Sequence, residues 1–139
     1  MGNREILIAR VVADVSAAAA TAGIAAGSCF VDRDVPIKEQ LLPAINLRRA
    51  SDVGGASGQY CNIRRTLALA VDIYAQGDTR GAVLDAIERA TRVAIDAIGD
   101  ALPFVLGSDL DVNWDVDDLA VQYMAARMHI SIEYMEPRP

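Results

Sequence analysis

The sequence predicts an α+β fold: a mixed, mainly antiparallel sheet with a long β-hairpin, packed against two α-helices. Three observations carry this. In residues 64–76, RRTLALAVDIYAQ, the apolar Leu67, Leu69, Val71 and Ile73 alternate with Thr66, Ala68, Ala70 and Asp72. That is the period-2 signature of a strand with one buried face. Leu84, Ile87, Thr91, Ile95, Ile98 and Leu102 recur instead at helical spacing. The whole chain reads helix, strand, strand, long loop, strand, helix, strand, strand, so strands arrive in hairpin-like pairs with two helices to cover one face.

The elements follow in order. Residues 4–22 read as a helix with Ile8, Val11, Val12, Val15 and Ala19 on one stripe, an Arg10–Asp14 i,i+4 pair elsewhere, and Asn3 as the expected N-cap. Gly23 and Gly27 then loosen the chain. A short strand is expected over 28–31, and after Pro43 a second over 44–49. SDVGGASGQ is rich in Gly and Ser, so 51–62 reads as a mobile loop closing the hairpin onto 64–76. It lacks the Gly-Lys-Ser/Thr of a phosphate-binding loop. Asp78 or Thr79 caps the second helix, which runs to about residue 101 with Asp85, Glu88, Arg89, Arg92 and Asp96 exposed, and Pro103 ends it. Strands over 109–115 and 121–135 finish the sheet. In the last, Met128, Ile130, Ile132 and Tyr134 face inward against Arg127, His129, Ser131 and Glu133, and Pro137 and Pro139 are expected to stop pairing. No internal repeat is visible, and residues 1–139 read as one domain.

Composition narrows the function. The chain has 139 residues, 53% of them hydrophobic and only 5% aromatic, so its core is aliphatic. A net charge of −6 and a pI near 4.6 argue against a general nucleic-acid binder held by phosphates. Two cysteines, Cys29 and Cys61, and a single histidine are too few for a Cys/His zinc site, and the cysteines are expected to be free and buried. The opening MGNREILIAR places Glu5 and Arg10 where a signal peptide needs apolar residues, and Ile6 where myristoylation wants Ser or Thr. AAAATAGIAAG is too short and too weakly apolar to span a bilayer.

The candidate chemistry is thin. Alternation puts His129 on the outward face of the last strand, with no nucleophile placed near it by any motif. Asp109, Asp111, Asn113 and Asp115 match the early ligand spacing of a calcium loop. However, Trp114 stands where that loop needs Gly, and Ala120 where it needs a bidentate Glu. Alternation explains the same residues as an outward acidic row, with Leu110, Val112, Trp114 and Val116 facing in. Arg48 and Arg49, with Arg64 and Arg65, flank the hairpin loop, and alternation splits each pair across the two faces. Catalytic, cofactor and metal sites are therefore not expected, and the chain does not read as an enzyme.

Taken together, LPAINLRR, the long loop, LALAVDIYAQG, the helix AVLDAIERATRVAIDAIGDAL and the closing ARMHISIEYMEP give the chain a likeness over nearly its full length. It resembles the tail terminator (tail completion, minor tail) proteins of long-tailed bacteriophages. The resemblance implies a virion protein assembled in the host cytoplasm. It would form a ring, usually a hexamer, that caps the tail tube, stops its polymerisation and presents the surface to which the filled head docks. Its partners would be copies of itself, the tail tube protein and a head-side neck or connector protein, with no membrane. DNA would pass through the lumen without specific binding. On this reading the loop residues Asp52, Val53, Gly54, Gly55, Ser57, Gly58, Gln59 and Tyr60 contact the tail tube. Arg48, Arg49, Arg64 and Arg65, with Asp109, Asp111 and Asp115, lie at subunit interfaces. Two alternatives stay open: a head-completion or neck connector protein, and a small-ligand-binding α+β module or enzyme of unknown chemistry.

Overall fold

The computed structural model describes residues 2–33, 43–57, 62–76, 80–116 and 123–137. Its elements are α1 (Asn3–Thr21), a 3₁₀ turn (Ala26–Ser28), β1 (Cys29–Val31), β2 (Ala44–Ser57), β3 (Asn62–Gln76), α2 (Arg80–Asp96), the short α3 (Ile98–Ala101), β4 (Val105–Val116) and β5 (Tyr123–Pro137). The five strands form one sheet in the order β1-β2-β3-β5-β4. β1 pairs with β2 in parallel and every other junction is antiparallel, so the fold is the α+β arrangement the sequence predicts.

Both long helices lie on one face. α1 buries Leu7, Val11, Val15, Ala18 and Ala19, and α2 buries Leu84, Ile87, Thr91 and Ile95. Beneath them lie Ile45 and Leu47 of β2, the alternating Leu67–Ile73 set of β3, and Met128, Ile130, Ile132 and Tyr134 of β5. Among the described residues no helix lies on the opposite face of the sheet. On α1 Leu7, which lies outside the expected stripe, is fully buried, whereas Ile8 and Val12 of that stripe are only half-buried.

α1 ends because Gly23 takes a left-handed φ of 87°. Gly23 N–H then bonds to Ala20 O (3.1 Å) and Ile24 N–H to Ala19 O (2.9 Å), closing a Schellman motif with Ile24 buried behind it. The start of α1 differs from expectation. Gly2 is the N-cap and Asn3 is already helical. The Asn3 side chain donates instead to Met135 O at 2.8 Å, tying the helix to β5.

Strand limits also differ. β2 runs on to Ser57, so residues 51–57, expected to be loop, are strand paired with β3. Small residues weaken a strand's signal without forbidding it, and two register shifts, between Arg49 and Ser51 and between Gly54 and Ser57, absorb the irregularity. Pro137 does not stop pairing but stands opposite Asn62. β4 likewise begins earlier than expected, at Val105.

Candidate interaction surfaces

Two arrangements gather charged side chains, one on each face of the sheet. On the helix-covered face, alternation along β2 is broken by the extra residue Ala50, which turns Asp52 toward Arg65 and Tyr134. Asp52 Oδ1 accepts from Arg65 Nε (3.0 Å), and Oδ2 from Tyr134 Oη (2.7 Å) and Arg4 Nη1 (3.4 Å). Arg65 Nη2 also reaches Asp52 O at 3.2 Å. Tyr134 is fully buried, and burial first, then the bond to Asp52, pushes its phenol well above the usual tyrosine range. The Asp52 hydrogen bond likewise raises Arg65. Glu136 completes the group by accepting from Asn3 N–H (3.3 Å) and Arg4 N–H (3.1 Å). An open cleft of about 260 Å³ lies between these residues, Glu5 and Ile63. Its polar atoms already bond to one another, so it reads as a latch between α1 and the hairpin.

On the uncovered face, Asp72 is 5% exposed. It is held by Arg127 (Nε–Oδ1, 2.6 Å) and Arg48 (Nη2–Oδ2, 2.8 Å). Tyr74 stands beside it, raised by burial and then by the Asp72 charge. Around this node the face is small and polar: Ala68, Ala70, Ser131 and the exposed His129, with Arg64 paired to Glu133 at 2.9 Å.

The residues singled out from the sequence fall as follows. Arg48 and Arg64 lie on the uncovered face, and Arg49 and Arg65 share rows with the core residues Leu69 and Tyr134. The structure therefore does not bring the four into one patch. Each has a carboxylate of its own, Arg49 meeting Asp32 at 3.2 Å. Asp109 and Asp111 are exposed on the uncovered face, in rows with Ser131 and His129, and Asp115 stands opposite Ala125. Asp52, expected in a loop, is a structural node, while Val53 and Gly54 are exposed strand residues and Gly55 and Ser57 continue the strand. Gly58, Gln59, Tyr60 and Cys61 lie outside the described residues, and Cys29 is half-buried. Trp114 departs from expectation. It shares the inward row of Ala126 yet is 52% exposed, standing on β4 at the margin of the sheet.

The roles of Glu136, Tyr134 and Asp72 in these charged groups are not announced by the sequence. Their partners lie far along the chain and no local spacing announces them. Among the described residues no cluster of His, Cys, Asp and Glu is arranged to hold a metal ion, and no helix is long and apolar enough to cross a membrane.

No protein-family profile matches the sequence, and no curated protein matches it. Solved structures do match. The fold recurs in a virion. A chain of the virion of a native gene transfer agent particle aligns with a TM-score of 0.52, covering 91% of this chain and 93% of that one, at 12% identity. At that identity the likeness is one of fold, and it spans both molecules almost end to end.

Proposed function

We propose that the chain is a structural protein of a phage-like virion and carries no catalysis. The observation that supports this most is the nearly full-length fold match to a virion chain. The surfaces agree with it. The polar groups of the cleft are paired with one another, and among the described residues one face of the sheet has no helix over it. Such a face suits contact with another protein better than binding of a small molecule.

Within that class, the resemblance to tail terminators favours a ring that caps the tail tube, ends its polymerisation and receives the head. The excess of negative charge fits a lumen through which DNA slides without adhering. A neck or connector protein is the second reading, and the fold match to a virion chain is equally compatible with it. Light scattering on a sizing column at high protein concentration, followed by sedimentation with purified tail tubes, tests the proposal. A ring that co-sediments with tube ends supports it. A strict monomer that ignores tubes contradicts it.

A further inference from the structure

The two margins of the sheet stand on common rows. Followed strand by strand through the register, Val31 of β1 lies in the row of Val112 of β4, and Cys29 in the row of Trp114. Both margins carry an exposed large apolar side chain there, Val31 at 49% and Trp114 at 52%, and both belong to the helix-covered face.

Backbone groups at the same level point outward. Leu110 already has its outward N–H taken by Asp109 Oδ1 (2.9 Å) and its carbonyl by Arg92 Nη1 (3.2 Å), which closes the β4 edge at that residue. Alternation turns the amides and carbonyls of Val112 and Trp114 the same way. On the other margin Asp32 N–H donates inward to Leu47 O (2.7 Å), so alternation turns Val31 outward.

Charge selects which margins meet. Asp109 and Asp111 are exposed and have no cation bridging them among the described residues, and β4 carries no basic residue. Two β4 edges therefore repel each other. Arg48, 40% exposed at its side chain, lies in the row of Asp111 at the opposite margin, just where β1 ends. Direction agrees too. Three antiparallel junctions make β4 antiparallel to β2, and β1 runs parallel to β2. Rotation about an axis roughly along the strands preserves direction, so β4 of one copy meets β1 of the next in the antiparallel sense.

We infer that copies of this chain join head to tail, residues 112–114 of one copy pairing with Cys29–Val31 of the next. The junction continues the sheet, buries Trp114 beside the neighbour's Val31 and sets Asp111 toward the neighbour's Arg48. It rests on the ring reading above and supplies its subunit contact.

Trp114 is the sole tryptophan, so its fluorescence reports on this junction alone. The test follows emission and light scattering together over a concentration series of the intact protein, beside the Val31→Lys and Asp111→Arg variants. Both substitutions fall on exposed positions and circular dichroism checks their folding. The expected result is a blue shift that tracks assembly, with assembly in both variants moved to about ten-fold higher concentration or more. Rings that form with unshifted emission, or folded variants that assemble as the parent does, overturn the junction and leave the ring intact. A parent that stays monomeric overturns both.

Discussion

Tyr134 Oη donates a 2.7 Å hydrogen bond to Asp52 Oδ2, joining the end of β5 to a residue just past a β-bulge in β2. The tyrosine is fully buried, so its hydroxyl has no water to fall back on. Tyr134→Phe keeps the ring in the core but removes the donor, leaving Asp52 to Arg65 and Arg4. The expected loss is about 1–2 kcal/mol, the range for a hydrogen bond to a charged group. Urea unfolding followed by circular dichroism measures it, and an unchanged midpoint would contradict the role given to this bond.

Burial of two tyrosines makes the protein sensitive to alkali. The Tyr134 and Tyr74 phenols are both held above the ordinary value of 10.0, by burial first and then by Asp52 and Asp72 respectively. Folding therefore favours the neutral phenol. This contribution is complete below pH 10 and is lost as pH rises from 10 through the folded-state pKa values. Cys29, raised from 9.0 by burial, acts with the same sign. Melting temperature should fall beyond pH 10, and fall less steeply in Tyr134→Phe. Absorbance of tyrosinate during the same titration identifies the groups, and ionisation of all tyrosines at pH 10 without unfolding would refute the linkage.

Glu136 holds the first turn of α1 from another element. Its two oxygens accept from the amides of Asn3 and Arg4, where helix N–H groups lack partners and the dipole favours negative charge. Glu136→Gln keeps the length and removes the charge, with an expected cost of about 1 kcal/mol. Hydrogen exchange should accelerate at residues 4–7 and not at α2. Equal acceleration in both helices would mean that the carboxylate supports the whole fold rather than this helix end.

Thr91 is fully buried among apolar residues of α2, and its hydroxyl finds no partner among the described residues. A desolvated hydroxyl costs stability, and valine has nearly its shape. Thr91→Val is expected to stabilise the chain by about 1 kcal/mol in thermal or urea unfolding. A loss of stability instead would show that the hydroxyl has a partner when the protein is in solution.

Much of the architecture was readable because it rests on local periodicity. Leu67 through Ile73, Met128 through Tyr134 and the Leu84–Ile98 stripe are buried as their spacing implies. What escaped depends on distance. Asn3 has the chemistry of an N-cap, yet Glu136 caps the helix because β5 ends beside it. The Gly/Ser composition of 51–57 concealed a strand whose pairing with β3 overrides weak propensity. Trp114 has the right face and the wrong burial, since alternation reports which way a side chain points but not that its strand stands at the margin of the sheet. For the proposed junction the pairing, not the residues, was illegible. Arg48 and Asp111 stand out by charge, but only the sheet register puts them in one row.

The central claim is that this chain is a virion part that ends tail growth. Electron micrographs of particles assembled without it test that most directly. The expected particles have tails of uncontrolled, excessive length and heads that remain unattached. Tails of normal length on infectious, joined particles would contradict the claim, and normal tails left unattached would move the protein to the neck.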